Sequence, residues 1–258
     1  ATISYRNQWI GFRDSPKGQM LSVHSPVYND RVGIGLLVEN NSIGIFKKTS
    51  LVGNYAYRME VRDGKLALGL GFGITVNHIA WNELDIADAG DAQLLESSSS
   101  TVLPAFSFGS YYYTKKYFIG FSMPLFLNSE FDNSTGKYTI SKPFSGFNYL
   151  LTGGYEFDIA PSITLLPSML VKYHPGNVIQ IDYITQVNLL DRIWMGIGYR
   201  NRDILVGMFQ CQLNYQLRMA YSYNFEFGTL GRYLDGSHEI VLSYRFRYSR
   251  KVFGPRQF

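Results

Sequence analysis

The chain has a single cysteine, few charged residues and no long apolar run. With only Cys211 among 258 residues, an internal disulfide and a cysteine-rich zinc site are both excluded. The four histidines are scattered at positions 24, 78, 174 and 238, so we expect no metal site and no cofactor. No stretch reaches 18 apolar residues, which excludes a transmembrane helix. No run of five or six basic residues is present, so we expect no nucleic-acid partner.

Aromatic residues and glycine are abundant instead. The chain contains 20 Tyr, 18 Phe and 25 Gly, and it is 46% hydrophobic but only 17% charged. This composition favours strands and excludes a disordered chain. The mean hydropathy of −0.08 fits a soluble protein. It also fits a membrane β-barrel, because each barrel strand shows one side to lipid and the other to a polar lumen.

An alternation of side-chain character with a period of two residues distinguishes a membrane β-barrel from a soluble protein. From Lys65 to Val76 the even positions are large and apolar and the odd positions are mostly small, and residues 179–189 and 239–248 alternate between apolar and mostly polar. An apolar face with aromatic ends suits lipid. A charged, amide-rich opposite face would be costly in a dry core. We therefore expect lipid to contact Leu66, Leu68, Leu70, Phe72, Ile240, Leu242 and Phe246.

Segments of this kind recur about fourteen times along the chain. They lie near residues 4–12, 19–28, 32–41, 51–61, 65–79, 104–114, 117–127, 147–160, 163–174, 178–190, 193–201, 204–212, 216–227 and 238–248. An even number suits a closed bacterial barrel with both termini on one side. We therefore predict an all-β fold, a transmembrane antiparallel outer-membrane β-barrel of about 14 strands. The barrel domain spans residues 1–248, and a periplasmic C-terminal tail spans 249–258.

The connections between these segments alternate in length. If the first strand runs outward, the short connections are periplasmic turns, at 29–31, 62–64, 115–116, 161–162, 191–192 and 213–215. The longest connections, 80–103, 128–146 and 228–237, all fall in the opposite, extracellular set. A soluble sandwich or propeller has no reason to separate its loops in this way. The pattern therefore favours the membrane barrel.

The two ends of the predicted barrel also differ in charge. The long connection 80–103 has no Lys or Arg and carries Glu83, Asp85, Asp88, Asp91 and Glu96. The opposite rim and tail carry Arg31, Arg62, Lys115, Lys116, Arg192, Arg250, Lys251 and Arg256. Polar loops of either sign also keep a barrel oriented and soluble at its rims. A binding role and a purely solvated rim therefore both remain open.

Polar residues on the strand segments indicate a lumen network, and no motif indicates catalysis. An inward-pointing side chain could pair across the lumen at Arg6, Gln8, Arg58, Arg200 and Glu239. The glycines of residues 69–73 sit within a strand pattern rather than a phosphate loop, and no G-x-S-x-G motif is present. A barrel-borne hydrolase would need a serine or an acidic dyad near His24 or His174. We therefore expect a protein that is not an enzyme.

An ordered series of short segments runs through the chain. The series is Tyr5-Arg6-Asn7-Gln8-Trp9, Ser22-Val23-His24-Ser25-Pro26, residues 54–58, residues 66–70, residues 167–173, residues 191–200 and residues 236–240. In this order and spacing the segments resemble the PorP/SprF family, outer-membrane proteins of the type IX secretion and gliding machinery of Bacteroidota. Two features depart from the family. An Asn-Pro-Ala-Tyr-like opening is missing, and a usual Tyr-Asp-Tyr-like strand reads Tyr221-Ser222-Tyr223-Asn224.

The resemblance implies a non-enzymatic barrel with a partner at each end. It implies secretion or cell-surface anchoring of cargo, such as gliding adhesins, through the C-terminal sorting domain of that cargo. It also implies a link to periplasmic and lipoprotein components of the apparatus, within a membrane of lipid and lipopolysaccharide. We expect cargo to contact external loops that carry, besides the five acidic residues above, Phe131, Tyr138 and Phe144. We expect the periplasmic contact to involve Arg250, Lys251, Phe253 and Arg256.

A second function stays open beside the first. A passive outer-membrane channel or transporter for small or hydrophobic solutes would have the same strand pattern. A channel needs a continuous water path through its lumen, whereas an anchoring barrel can be occluded.

Overall fold

The wall of the protein consists of strands throughout. The computed structural model describes residues 1–28, 30–80, 99–124, 129–132, 137–140, 147–201, 203–228, 231 and 235–246. The strands are β1 (Thr2–Asn7), β2 (Lys17–Val27), β3 (Val32–Ile43), β4 (Phe46–Val61), β5 (Gly64–Ile79), β6 (Ser99–Tyr113), β7 (Tyr117–Met123), β8 (Ser129–Asp132), β9 (Lys137–Ile140), β10 (Tyr149–Tyr155), β11 (Phe157–Ala160), β12 (Ile163–Tyr173), β13 (Gln180–Leu189), β14 (Ile193–Arg200), β15 (Ile204–Gln212), β16 (Leu217–Glu226) and β17 (Ser237–Tyr244). Among the described residues, no helix is long and apolar enough to cross a membrane.

Antiparallel pairing closes these strands into a ring. Neighbours in sequence pair along the wall, β1 pairs with β17, and β10 pairs with both β7 and β12. Since β10 and β11 both pair with β12 and only Glu156 separates them, they form one interrupted wall strand. The wall is therefore a closed 14-strand antiparallel barrel, as the sequence predicts. The short β8–β9 hairpin forms a separate sheet.

The barrel has two ends that differ in their connections. We call the end that holds Ala1 and the last residue of β17 the terminal end, and the opposite end the loop end. The terminal end carries the connections 28–31, 62–63, 114–116, 161–162, 190–192 and 213–216. The loop end carries 8–16, 44–45, 80–98, 124–148, 174–179, 201–203 and 227–236. The six short turns fall at one end, in agreement with the sequence pattern, although two loop-end connections are equally short.

Two of the terminal-end turns use backbone conformations that tight hairpins require. Arg62 has a φ of 52°, and Leu190 and Asp191 have φ values of 56° and 54°. Left-handed residues at the centre of a two-residue hairpin turn match the right-handed twist of the flanking strands. This geometry accounts for the shortness of these connections.

Large apolar side chains cover the outer face of the wall. Leu70 and Phe72 of β5 are 62% and 64% exposed, whereas Gly71 between them is buried. A β carbon at Gly71 would lie 2.1 Å from Ser107 Oγ and 2.6 Å from Asn54 Oδ1, so a larger residue at this lumen position would displace those two side chains. The outer face also carries Leu66, Leu68, Ile240 and Leu242, while Phe246 lies exposed beyond β17.

Some strand ends differ from those that the sequence indicates. The pattern predicts a strand over 51–61, but β4 begins at Phe46, because pairing with β5 continues where both faces become polar and the alternation is lost. A buried hydroxyl hydrogen bond of 2.9 Å between Ser50 and Thr75 supports that extension. β1 instead ends at Asn7 rather than at residue 12, because Trp9 has a φ of 50° and the chain turns there.

A charge on the outer face should destabilise the barrel more than the same charge on the lumen face. We expect Leu68→Arg, near the middle of β5, to lower the free energy of unfolding by about 2–4 kcal/mol, because the guanidinium would enter lipid. Asn54→Arg on the lumen face of β4 is the control and should cost much less. Urea unfolding in lipid vesicles, followed by tryptophan fluorescence, measures both. Equal costs would contradict the assigned faces.

Candidate functional site in the barrel lumen

Charged side chains gather on the lumen face near the loop end. Their positions along the strands place them at one level: Arg200 ends β14, Glu226 ends β16, and Arg6 and Lys172 are next to the end of β1 and β12. Asp182 and Glu239 are each third from the loop-end terminus of β13 and β17. We call these six residues the lumen cluster. It contains three cations and three anions, so its formal charge is balanced.

Asp182 is the most heavily bonded member of the lumen cluster. It is 6% exposed and is the register partner of Arg200 on the next strand. Arg200 donates to it twice, from Nε to Oδ1 at 2.7 Å and from Nη2 to Oδ2 at 3.2 Å. Gln180 Nε2 donates to both carboxylate oxygens, and Lys172 Nζ lies 3.6 Å from Oδ2. A two-point arginine contact of this kind fixes geometry as well as charge, so this carboxylate is fully occupied within the wall.

Arg6 joins the cluster from the other side of the β1–β17 seam. It is the register partner of Glu239, and its charge interacts with Glu239, Arg200, Asp182 and Glu226. When the Gln8 side-chain amide is oriented with its oxygen toward the Arg6 guanidinium, this oxygen accepts hydrogen bonds from Arg6 Nε at 2.9 Å and from Arg6 Nη2 at 2.6 Å. The network therefore includes β12, β13, β14, β16 and β17, together with the first strand of the chain.

The connection 8–16 is bonded to the beginning of β17. Trp9 Nε1 donates to Glu226 Oε1 at 2.8 Å, and the Trp9 amide donates to Ser237 Oγ at 3.3 Å. The Ile10 amide donates to the Gly236 carbonyl at 3.0 Å, and the Asp235 amide donates back to the Ile10 carbonyl at 3.1 Å. The first connection of the chain is thereby held against the last strand at the loop end.

Arg58 lies apart from the lumen cluster. It sits near the terminal end of β4, where Nη1 donates to the Asp30 carbonyl at 3.3 Å and its amide donates to the Arg31 carbonyl at 2.7 Å. The structure therefore brings Arg6, Gln8, Arg200 and Glu239 into one region but places Arg58 at the opposite end.

The lumen wall is asymmetric in side-chain size. On the β3–β10 side, the lumen face has many small residues beside larger ones such as Tyr111, Tyr113 and Phe118. The small residues include Gly35, Gly69, Gly71, Gly73, Ala105, Ser107, Gly109, Gly120 and Gly154. On the β13–β17 side, larger side chains leave a cavity of about 180 Å³ that Gln186, Trp194, Met208 and Glu239 help to line. Beside this cavity, the Arg218 guanidinium carbon lies 4.5 Å from the centroid of the Trp194 ring, which is a cation–π contact.

The other predicted contact residues lie mostly outside the described residues. This holds for Glu83, Asp85, Asp88, Asp91, Glu96, Phe144, Arg250, Lys251, Phe253 and Arg256. Phe131 and Tyr138 are register partners in the β8–β9 hairpin of the loop end.

Three members of the lumen cluster do not stand out as site residues in the sequence. Asp182 falls on the predicted polar face of 179–189, and this alternation was the only signal for it. Lys172 and Glu226 carry no comparable signal, because their importance comes from neighbours on other strands. Trp9 lies in a segment that the pattern assigns to a strand, so its hydrogen bond to Glu226 could not be foreseen.

No metal-binding arrangement is formed by the described residues. Within them, no three His, Cys, Asp or Glu side chains are grouped as metal ligands. In the same part of the chain, neither His24 nor His174 hydrogen-bonds through its ring to a serine or carboxylate, and His174 Nδ1 is buried without a partner.

Comparison with known proteins gives one family and a common architecture. The family model described as "Type IX secretion system membrane protein PorP/SprF" matches residues 1–244. No curated protein matches the chain. Similar solved structures include the CymD monoaromatic hydrocarbon channel, with 12% identity over 96% of this chain and 87% of that one and a TM-score of 0.52. The KdgM porin has 12% identity over 96% and 100% of the two chains and a TM-score of 0.43. At these identities the likeness shows the barrel fold alone.

The Asp182–Arg200 pair should contribute measurably to stability. We expect Arg200→Gln to cost about 3 kcal/mol, because a buried carboxylate loses its main partner. The double variant Asp182→Asn with Arg200→Gln should recover part of this loss, with a coupling energy of about 1–3 kcal/mol in a double-mutant cycle. Urea unfolding in vesicles measures the four proteins. If the effects of the two substitutions on the free energy of unfolding are additive, the two side chains have no coupling energy, which would contradict the prediction.

Proposed function

The chain belongs to the PorP/SprF family of type IX secretion system membrane proteins, and from this membership we propose that it supports secretion or surface anchoring of cargo through the cargo's C-terminal sorting domain. The observation that carries the proposal is the family match over residues 1–244, nearly the whole chain. The chain is an outer-membrane β-barrel, and both its family and its porin-like fold are non-enzymatic kinds of protein. We therefore propose a role in binding and support.

The loop end is assigned to the cell exterior. Bacterial outer-membrane barrels have short periplasmic turns and longer extracellular loops. All six terminal-end turns are short, whereas the connections 80–98, 124–148 and 227–236 are at the loop end. This orientation places Ala1 and the end of β17 on the periplasmic side.

The external surface offers the features of a cargo-binding site. The connection 80–98 contains the five acidic residues from Glu83 to Glu96, and 124–148 contains Phe131, Tyr138 and Phe144. Aromatic residues beside polar groups are typical of protein interfaces. We propose that these two connections contact the sorting domain of the cargo.

The lumen cluster supports anchoring better than transport of a charged ligand. Its charges are balanced, and Asp182 is bonded to Arg200, Gln180 and Lys172 of the same wall. Hydrogen bonds from Trp9 to Glu226 of β16 and Ser237 of β17 attach the first connection to the last two strands at the loop end. We propose that this network keeps the external rim rigid when cargo pulls on it.

The periplasmic surface provides the second contact. Its rim holds Arg31, Arg62, Lys115 and Arg192, together with acidic residues such as Asp158, which pairs with Lys116. Beyond the rim, residues 249–258 include Arg250, Lys251, Phe253 and Arg256. We propose that this tail contacts a periplasmic or lipoprotein component of the apparatus.

Two deletions test this two-ended arrangement in the native membrane. Removing residues 84–97 leaves β5 and β6 intact and should weaken copurification of cargo, because the acidic connection is lost. Removing residues 249–258 leaves β17 intact and should weaken copurification of periplasmic components while insertion is kept. Quantitative mass spectrometry of the affinity-purified barrel measures both sets of partners.

Charge neutralisation provides the control for the external deletion. Changing Glu83, Asp85, Asp88, Asp91 and Glu96 to their amides should reproduce part of the cargo loss. Changing Asp30, Asp63, Asp158 and Asp191 at the periplasmic rim to Asn should leave cargo recovery unaltered. If both deletions leave all partners at wild-type levels, the charged ends are only solvated rims.

A passive channel is the second candidate function. The small residues on the lumen face from β3 to β10 favour it, because they contribute little side-chain volume to that half of the lumen. The likeness to the CymD monoaromatic hydrocarbon channel shows the fold only and adds no evidence about solutes.

Conductance in planar bilayers separates the two functions. We expect the purified protein to show little steady current, because the lumen cluster and the larger side chains from β13 to β17 fill part of the lumen. Replacing Arg200 and Trp194 with Ala should raise the current if these side chains restrict the path. Large, stable, solute-sensitive pores in the unaltered protein would favour the channel instead.

A further inference from the structure

Two neighbouring rows of lumen-facing residues form a hollow in the wall between β13 and β17. Register pairing joins the members of the first row, which are Gln186, Gly196, Met208, Ser222 and Glu239. The second row lies two residues closer to the terminal end and consists of Trp194, Gln210, Ala220 and Val241. Side chains alternate along a strand and register partners share a face, so both rows face the lumen.

Small residues create the hollow. Gly196, Ala220 and Ser222 lie between larger neighbours around the cavity of about 180 Å³. A β carbon at Gly196 would lie 2.9 Å from Gln186 Cγ and 3.1 Å from Met208 Cε, so these two long side chains cover the glycine. At about 30 Å³ per water molecule, the cavity has room for about six waters or for one small polar molecule.

Four polar groups at the cavity have no hydrogen-bond partner in the part of the chain that the structure describes. They are the side-chain amides of Gln186 and Gln210, the indole N–H of Trp194 and the hydroxyl of Ser222. Trp194 is half-buried, and Arg218 contacts the face of its ring rather than its N–H. A tryptophan N–H that is removed from water usually donates to an acceptor. The cavity therefore offers both donors and acceptors to a ligand.

The charge at the cavity opposes ions of either sign. Among the described residues that line the cavity, only Glu239 is charged, and it would repel an anion. The charge of Arg6, its register partner, already interacts with Glu239 and would repel a cation. Arg218 lies beside the cavity, where its Nε donates to Gln212 Oε1 at 2.9 Å. The cavity therefore suits a ligand without net charge.

Apolar surface lies between the polar groups. Met208, Ala220 and Val241 contribute to the lining of the same cavity. A glutamine amide both donates and accepts hydrogen bonds, as a sugar hydroxyl does. A pyranose ring combines such hydroxyls with C–H groups that pack on apolar surface. It also carries no charge, which matches the electrostatics of the cavity.

We propose that this cavity is a binding site for one neutral pyranose ring. The amides of Gln186 and Gln210 donate to and accept from the sugar hydroxyls, and the Trp194 N–H donates to a hydroxyl oxygen. Glu239 accepts a hydrogen bond from a hydroxyl group. The C–H groups of the ring pack against Met208 and Ala220.

The sugar site does not depend on the proposed function. It lies on the lumen wall, whereas cargo is assigned to the connections 80–98 and 124–148. The deletion of residues 84–97 should therefore leave sugar binding unaltered. Loss of cargo binding and loss of sugar binding are separate results, so each proposal can fail alone.

Saturation-transfer NMR with the purified full-length barrel tests the proposal. The protein is placed in phosphatidylcholine nanodiscs, because many detergents carry sugar headgroups that would compete. The probes are the methyl pyranosides of glucose, galactose and mannose, with glucuronate and glucosamine as charged counterparts. We expect saturable binding of at least one neutral pyranoside and weaker binding of both charged sugars. Gln186→Leu/Gln210→Leu should weaken binding roughly tenfold, the order expected when two neutral hydrogen bonds are lost.

A second variant tests the hollow itself. Ala220→Met leaves all of the polar groups in place but fills the space between them, so it should also weaken binding roughly tenfold or more. Circular dichroism and resistance to heat in detergent verify that each variant is folded. Unaltered binding by the folded Ala220→Met variant would overturn the proposal.

The matched control removes two amides from the opposite side of the lumen. Asn41 and Asn77 lie on the lumen face of β3 and β5, so Asn41→Leu/Asn77→Leu should bind the sugar like the wild type. Equal weakening in this control and in Gln186→Leu/Gln210→Leu would overturn the proposal. The absence of saturable binding for all three neutral pyranosides would do the same. Equal binding of glucuronate or glucosamine would contradict a site for neutral sugars.

Discussion

Closure of the hydrogen-bonded wall is the constraint on which the rest of this structure depends. A strand in lipid cannot leave its backbone groups unpaired, because no water is present to satisfy them. The seam between β1 and β17 and the double pairing of β10 meet this requirement. Once the ring closes, the register of every strand is fixed, and each side chain faces either lipid or lumen. Even the interruption at Glu156 is tolerated because β11 resumes pairing with β12.

The same closure explains how distant residues form one polar cluster. Arg6, near the start of the chain, meets Glu239, near its end, because the seam joins their strands. Isolated charges would be costly in a dry interior, but here they have partners. Asp182 forms ion pairs with Arg200 and Lys172, and Glu226 accepts a hydrogen bond from the Trp9 indole. The result is a rim in which the first connection and the last strand are one unit. Such a rim agrees with the anchoring role proposed above.

The two faces of the wall carry different chemistry. The lumen face has a cluster of balanced charges near the loop end, whereas the outer face carries large apolar side chains such as Leu70 and Phe72. Both depend on alternation within strands and register between them. A shift of one residue in any strand would exchange the faces and place charge in lipid. Membrane insertion and the proposed binding roles therefore depend on one register.

The sequence by itself determined the features that depend on local periodicity. Alternation with a period of two indicated the barrel, its strand number, its apolar outer face and the separation of short turns from long connections, because these depend on a dozen neighbouring residues at most. Ordered segments such as Tyr5–Trp9 indicated the family. The folded barrel was needed to show that Asp182, Lys172 and Glu226 join Arg6 and Arg200 and that Arg58 does not. These relations depend on strand register around a closed ring, which no local pattern encodes.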